Sequence, residues 1–160
     1  MPAKQLKEFL DSHKVKYVIT THSTAYTAQE IASLAHIRGE EFAKTVIVRI
    51  DGGMAMAVLP ASYHVDLPLL KAAAKGSRIA LASETDFRDR FPECETGAMP
   101  PFGELYGMSV FVDESLTRDK EIAFNGGTHH ELIRMSYADF ARLVQPKVAK
   151  FSTTAEALRL

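Results

Sequence analysis

The sequence predicts an α+β fold, in which helices flank a mixed, barrel-like β-sheet of about six or seven strands. Short β-rich runs are interleaved with segments of helical periodicity along the 160 residues. Two glycine-rich turns join neighbouring strands as hairpins, whereas other strands are separated by helices, as crossovers require. No repeat and no low-complexity linker divides the chain, so we expect one domain over residues 1–160.

The first elements are predicted from periodicity and capping. Residues 2–13 have the apolar spacing of an amphipathic helix, and residues 15–20 form a short β-rich run. Thr27 and Glu30 have capping-box spacing, which predicts a helix to about residue 35. One further helical turn is predicted at 40–43.

The most apolar strands are predicted next, at 45–50 and 54–59, with a hairpin turn between them. Both strands are apolar on both faces, so we expect each side of the sheet to be covered. A helix over 66–74 follows, with Asp66 as its cap.

The later elements are shorter. The pattern predicts, in order, a strand at 79–82, a helix from 83 that ends before Pro92, strands at 109–112, 121–124 and 130–135, and a helix at 136–144. The tail from 147 to 160 has little pattern.

Composition excludes several classes of protein. With 19 basic and 20 acidic residues, the chain has no general electrostatic attraction for nucleic acid, so a polyanion must be held by a few local contacts. The single Cys94 excludes an internal disulfide and a thiolate-rich zinc site. There is no cationic and apolar leader, and no apolar run approaches the roughly 20 residues of a membrane helix. We therefore expect a soluble, cytoplasmic protein without a membrane partner.

The most unusual stretch is Gly97-Ala98-Met99-Pro100-Pro101-Phe102-Gly103. Two glycines and two prolines exclude it from a helix interior or a central strand. Glycine adopts backbone angles that other residues avoid, and proline fixes φ, so a stiff loop is predicted that a ligand can approach closely. A rigid connector is the alternative interpretation.

Lys44 lies where a turn leads into the most apolar strand. Its long stem can lie along the core while the ammonium group enters a cleft and holds a phosphate. A strand-edge lysine in water is the alternative.

The histidines and the cysteine give weaker signals. His129 and His130 are adjacent, so they should face opposite sides if both lie in a strand, and one of them could enter a pocket. No His-Glu-x-x-His or Cys-x-x-Cys spacing is present, so we expect no metal site. Glu93 and Glu95 flank Cys94 and should raise its thiol pKa, which favours a structural cysteine over a nucleophile.

Four stretches, taken in order, resemble the YbaK family, which includes the editing domain of bacterial prolyl-tRNA synthetases and its free-standing relatives. The likeness covers about residues 17–144. The stretches are Lys44-Thr45-Val46-Ile47-Val48, Ala57-Val58-Leu59-Pro60-Ala61, Gly97 to Gly103, and Phe124-Asn125-Gly126-Gly127-Thr128-His129.

The resemblance implies a barrel-like mixed sheet and an aminoacyl-tRNA deacylase that needs no cofactor. By likeness to the family, Lys44 holds the charged 3′ end of tRNA, and the loop from Gly97 to Pro101 positions the ester. His129 is the first choice for the pocket histidine and His130 the second. The substrate-binding positions implied are Ala98, Met99, Asn125, Gly126, Gly127, Thr128 and His130.

The implied chemistry agrees with the absence of a recognisable nucleophile. An aminoacyl ester is activated, so hydrolysis depends on positioning and on oxyanion stabilisation, for which the backbone amides of Gly97 to Met99 are the predicted donors. The family suggests that the substrate's ribose hydroxyl orients water. The implied partners are the acceptor end of aminoacyl-tRNA and an aminoacyl-tRNA synthetase that assists.

Other functions stay open at this point. The Thr-His-His-Glu run after Gly127 matches neither the cysteine nor the alanine branch of the family closely, so the edited amino acid is left open beyond being small. A non-catalytic module that binds a nucleotide or an aminoacyl-adenosine is the second hypothesis. A small-molecule esterase or amidase that uses Cys94 or a histidine is the third.

Overall fold

A computed structural model describes residues 4–21, 42–95 and 97–153 of the chain. These residues form four α-helices: α1 Lys4–Ser12, α2 Leu67–Ala74, α3 Glu84–Phe87 and α4 Tyr137–Val144. Short 3₁₀ helices lie at Arg88–Arg90, Gly103–Tyr106 and Glu114–Arg118. The strands are β1 Tyr17–Thr21, β2 Ala43–Ile50, β3 Gly53–Pro60, β4 His64–Val65, β5 Ile79–Leu81, β6 Ser109–Asp113, β7 Glu121–Asn125, β8 Glu131–Ser136, β9 Lys147–Ala149 and β10 Ser152–Thr153.

The strands lie in three sheets. The largest has the order β5-β2-β3-β6-β9, in which β2 and β3 form the predicted antiparallel hairpin, and β6 runs parallel to both β3 and β9. A second, antiparallel sheet has the order β1-β8-β7, and β10 pairs with β4 in the third. The sheet is mixed, as predicted.

The predicted barrel closure and strand number are wrong. The described residues contain ten strands rather than six or seven, and the five-stranded sheet ends in the free edges β5 and β9. An isolated parallel bridge between Phe42 and Ala123 connects the beginning of β2 with β7. Because this pairing does not continue as a ladder, the sheets stay separate instead of closing.

Strand β3 is buried on both faces, as its apolar run predicted. Met56 and Val58 pack into the main hydrophobic core, together with α1 and α4. Ala55, Ala57 and Leu59 alternate with them and pack into a second core under α2. The alternation follows from the two-residue period of a strand.

Local start signals are confirmed wherever the structure describes them. The carboxylate of Asp66 accepts a hydrogen bond from the Leu69 N–H at 3.0 Å and caps α2. Ser83 and Asp86 form a reciprocal capping box at α3, and Ser136 caps α4. The predicted helix over 27–35 and the start of the turn at 40–43 lie outside the described residues.

Two differences concern weak local patterns. The predicted helix from 83 is α-helical only to Phe87 and continues as a 3₁₀ turn. The tail forms β9 and β10, of three and two residues, which the sequence did not predict. Such short strands depend on pairing with β6 and β4, a tertiary contact that periodicity does not contain.

Candidate functional site

The loop from Gly97 to Gly103 is fixed to the main core by Phe102. The Phe102 ring lies 5.5 Å, centroid to centroid, from the rings of both Phe124 and Phe140. At Gly103, an added Cβ would lie 2.2 Å from the carbonyl oxygen of Met108, so no side chain fits there. The stiffness predicted from the prolines is therefore reinforced by burial at the far end of the loop.

Backbone hydrogen bonds join this loop to the turn between β7 and β8. The Gly127 N–H donates to the Ala98 carbonyl at 2.9 Å, and the Gly127 carbonyl accepts from the Glu95 N–H at 2.7 Å. These bonds bring together two stretches that are about 30 residues apart in the sequence and that the resemblance assigned to one pocket.

Glu95 is a positioning residue that the sequence analysis missed. Its carboxylate accepts a hydrogen bond from the His129 N–H at 2.9 Å, so one residue holds both Gly127 and His129. The side chain is exposed, and an exposed glutamate beside a cysteine carries no local signal of such a role.

His129 lies against Gly97, whereas His130 is exposed. A Cβ built on Gly97 would lie 3.5 Å from Cε1 of the His129 ring, and His129 is 7% exposed. The condition for strand alternation is not met, because β8 begins only at Glu131 and both histidines lie in the preceding turn. The turn conformation, rather than the pleat of a strand, orients them.

Two of the three predicted oxyanion donors of the loop are occupied in the folded chain. The Gly97 N–H donates to the Met99 sulfur at 3.2 Å, and the Ala98 N–H donates to the Glu95 carbonyl at 3.0 Å. The Met99 side chain packs into the main core. Of the three amides predicted as donors, those of Gly97 and Ala98 are therefore already satisfied within the loop.

In the turn between β7 and β8, one backbone N–H has no acceptor among the described residues. Gly126 donates its N–H to the Glu131 carbonyl at 3.1 Å, and His130 donates to the Thr128 hydroxyl at 3.3 Å. The amides of Gly127 and His129 donate to Ala98 and Glu95, as described above. Within the described ranges, the Thr128 N–H has no such partner, and it lies between two residues that contact the loop.

Lys44 and Asn125 both lie near the bridge that joins β2 to β7. In the parallel bridge, Phe42 is paired with Ala123, and Lys44 and Asn125 each follow two residues later on their own strands. Side chains two residues apart share a face of their strand, so Lys44 shares the face of Phe42 and Asn125 that of Ala123. The rest of β2 on that face, including Val46 and Val48, packs into the second core.

Both side chains have unused polar groups. Lys44 is half-buried, and desolvation lowers the pKa of its ammonium group. Among the described residues Lys44 forms no ion pair, and its half-burial differs from the strand-edge lysine in water of the alternative interpretation. Asn125 is 8% exposed, and its side-chain oxygen lacks a hydrogen-bond donor in the described part of the chain. A buried carbonyl oxygen of this kind costs free energy unless a ligand or water satisfies it.

Cys94 has the environment of a structural residue. It is half-buried, and its sulfur lies 3.5 Å from the Tyr106 hydroxyl. Burial raises the pKa of the thiol, and it also raises the pKa of Tyr106. The thiolate is therefore disfavoured at neutral pH, which is the opposite of what a nucleophile needs.

Residues 4–21, 42–95 and 97–153 contain no group of three or more His, Cys, Asp or Glu side chains arranged to hold a metal ion. They also contain no helix with the length and apolar character needed to cross a membrane.

Comparison with known proteins identifies a matching family model and relatives along most of the chain. Residues 22–143 match the model described as an aminoacyl-tRNA editing domain. The chain is 27% identical over 157 residues to the multifunctional Ser/Thr-tRNA deacylase ProXp-y of Escherichia coli K12, and the match covers 95% of this chain and 93% of that protein. It is 23% identical over 142 residues to the prolyl-tRNA editing protein ProX of Acetoanaerobium sticklandii, covering 85% and 86%.

Solved structures share the fold at lower identity. The hypothetical protein APE2540 superposes with a TM-score of 0.84 at 21% identity, covering 94% of this chain and all of the other. A candidate trans-editing enzyme for prolyl-tRNA synthetase superposes with a TM-score of 0.81 at 21% identity, covering 94% and 96%.

Proposed function

The chain belongs to the aminoacyl-tRNA editing domain family, and on that premise we propose that it is a trans-acting aminoacyl-tRNA deacylase. It hydrolyses the ester that joins a small, wrongly attached amino acid to the terminal ribose of tRNA. Serine and threonine lead the candidates, because one relative along nearly the whole chain is named for Ser/Thr-tRNA. The protein acts in the cytoplasm under this proposal, with the acceptor end of aminoacyl-tRNA as its partner and an aminoacyl-tRNA synthetase as a second partner.

The observation that supports this proposal most is the junction of the Gly97 loop with the turn at 125–129. Their hydrogen bonds hold the bare Cα of Gly97 against the His129 ring, on a loop fixed to the core. A preorganised site of this kind lowers the entropic cost of orienting an ester and a water molecule. An activated ester needs little more than that.

The proposed roles follow from the unused polar groups. The desolvated Lys44 ammonium binds the phosphate next to the terminal nucleoside, and the Asn125 side-chain oxygen accepts a hydrogen bond from the substrate's hydroxyl or amino group. The Thr128 N–H replaces the occupied loop amides as a donor to the developing oxyanion. His129 and the Gly97–Pro101 backbone form the wall against which the ester lies.

The chemical step requires no covalent intermediate. A water molecule, oriented by the ribose hydroxyl next to the ester, attacks the carbonyl carbon and loses one proton to solvent, which leaves a tetrahedral oxyanion. Collapse breaks the bond to the ribose oxygen, which takes a proton from solvent and leaves as the free terminal hydroxyl. The amino acid loses the remaining proton of the attacking water and is released as its carboxylate. The protein contributes orientation and charge stabilisation.

A panel of mischarged tRNAs carrying Ala, Ser, Thr or Cys tests the proposal. We expect hydrolysis above the spontaneous rate for at least one of the four, with Ser or Thr fastest. A panel on which every rate equals the spontaneous rate would contradict the proposal. The Cys94→Ser variant should keep the wild-type rate, because a thiol with a raised pKa takes no part in the reaction; its loss of activity would instead favour a cysteine-dependent esterase.

A non-catalytic binding module is the second candidate, and one observation favours it. The loop amides of Gly97 and Ala98 are occupied, which removes two of the donors expected of an oxyanion site. Such a module would bind an aminoacyl-adenosine analogue saturably while all four mischarged tRNAs stay intact.

A further inference from the structure

A cavity lies at one end of the strands of the five-stranded sheet. It has a volume of about 530 Å³ and opens where β3, β6 and β9 end. We call it the edge cleft. Its lining combines two basic side chains, an aromatic ring and several hydroxyls: Tyr63, Leu69, Asp113, Glu114, Ser115, Arg118, Lys150, Ser152 and Thr153. None of these residues belongs to the site proposed above.

The edge cleft and Lys44 lie at the same end of the strands of this sheet. Lys44, at the start of β2, is paired with Leu59 near the end of the antiparallel β3. Strand β6 runs parallel to β3 and ends in the cleft at Asp113, which is paired with Ala149 of β9, next to Lys150. The strand order therefore leads from Lys44, across β3 and β6, to the cleft.

They also lie on the same face. Val46 and Val48, which share the face of Lys44, pack into the second core together with Phe111 of β6. Asp113 follows Phe111 by two residues, so its side chain is on that face too. Asp113 confirms this by accepting a hydrogen bond at 3.0 Å from the N–H of Phe151, another member of the second core.

The exposed charges of the edge cleft are two cations and one carboxylate, a balance that favours an anionic ligand. Asp113 is 2% exposed, and its carboxylate is already used by the Phe151 N–H and by the N–H and hydroxyl of Ser115. Glu114 is the one exposed carboxylate of the lining. Arg118 and Lys150 are exposed, and neither forms an ion pair with any other residue that the structure describes. Tyr63 adds a half-buried aromatic ring.

We propose that the edge cleft binds the phosphodiester backbone of the tRNA nucleotides that precede the esterified end. Neighbouring strands are about 4.8 Å apart, so Lys44 and Lys150, three strands apart, are separated by about 14 Å along the edge. This distance exceeds the spacing of neighbouring phosphates on one strand, so Lys44 and Lys150 would contact different phosphates of the same strand. A basic groove with an aromatic ring is the usual way in which proteins bind single-stranded nucleic acid.

The inference rests on the proposed function for the identity of the RNA, but binding tests it separately. The dissociation constant of deacylated tRNA is measured at several salt concentrations, so hydrolysis is not needed. Arg118→Ala and Lys150→Ala should each weaken binding about threefold to tenfold and reduce the slope of log K against log salt by about 0.7 per phosphate contact. Glu114→Gln should tighten binding, because it removes the exposed negative charge.

Arg78→Ala is the matched control. Arg78 is an exposed arginine just before β5. Its N–H donates to Asp51 in the hairpin between β2 and β3, which lies at the other end of the strands from the edge cleft. Its loss should leave the dissociation constant unchanged. Equal binding by wild type, Arg118→Ala and Lys150→Ala, or an equal loss in Arg78→Ala, would overturn the proposal, as would weaker binding by Glu114→Gln.

Hydrolysis separates the two proposals. With mischarged tRNA, the Arg118→Ala loss should appear mainly in KM, and it should exceed the loss with an aminoacyl-adenosine, which has no phosphate to reach the cleft. Equal losses of activity on both substrates would contradict the proposal that the edge cleft binds the tRNA backbone. If wild type hydrolyses neither substrate, the deacylase proposal fails, and the salt dependence of tRNA binding still decides whether the cleft binds RNA.

Discussion

Replacing Lys44 with methionine keeps a long unbranched side chain and removes the charge. The ammonium is half-buried, and its pKa is lowered because burial removes solvent from the charged form. The proposed function therefore predicts opposite effects on activity and on stability. Activity should fall, because the phosphate loses its cation. Stability should rise, because the fold no longer holds a desolvated charge.

The size of the activity loss follows from the strength of a charged hydrogen bond. An ammonium and a phosphate about 4 Å apart attract each other by about 4 kcal/mol at an effective dielectric constant of about 20, before the cost of desolvation. Net contributions of hydrogen bonds to charged groups are about 1.5–3 kcal/mol. At about 1.4 kcal/mol per tenfold change, kcat/KM should fall about 10- to 150-fold.

The stability effect has a defined dependence on pH. Because the folded-state pKa of Lys44 is lowered, the unfolded chain binds the proton more tightly. The free energy of unfolding therefore rises as pH rises through the lowered pKa. Lys44→Met should raise Tm at neutral pH. The free energy of unfolding of this variant should no longer rise with pH through that range, because the titrating group is gone.

Deacylation rates and thermal melts between neutral and alkaline pH measure both effects. Lys71→Met is the control, since Lys71 is exposed on α2 near the Asp51 hairpin at the far edge of the sheet. Unchanged kcat/KM in Lys44→Met would remove Lys44 from the site. A lower Tm, together with lower activity, would show that the lysine acts by stabilising the fold and would refute the reasoning.

Three further predictions concern the junction of loop and turn. His129→Gln should lower kcat/KM about tenfold or more, whereas His130→Gln should stay near wild type, because only His129 lies against Gly97; equal losses in a deacylation assay would contradict this. Gly97→Ala should destabilise the fold by about 1–2 kcal/mol, since φ is +87°, and a thermal melt that shows no decrease in Tm would exclude that strain. Glu95→Ala should lower kcat at little change in KM, and Glu95→Gln should recover most of it because the amide oxygen still accepts from the His129 N–H; failure of Gln to recover kcat would assign the effect to charge rather than to positioning.

Local chemistry made much of the fold predictable. The Asp66 cap, the helix start at Ser83 and the glycine turn after β2 depend on residues a few positions apart, and each occurs where it was predicted. Whether the sheet closes into a barrel, and whether β10 forms, depend instead on which strands pair across the molecule. No local pattern contains that information.

The features of the site likewise divide into those that the sequence predicts and those that depend on tertiary contacts. Residue types and order led to Lys44, the Gly97 loop and the turn at 125–129, and their roles remain predictions. The occupied Gly97 amide and the hydrogen bond from His129 to Glu95 are tertiary contacts. An oxyanion donor cannot be assigned from a glycine in the sequence until it is known where that N–H points.

Gly103 has a consequence for how the pocket can change. With the Met108 carbonyl oxygen 2.2 Å from where a Cβ would stand, even alanine at this position would displace the chain that holds the loop. The point at which the loop is fixed to the core therefore tolerates almost no variation. Selection or engineering for a different amino acid has to act elsewhere in the proposed site, for example at Thr128, whose side chain is half-buried.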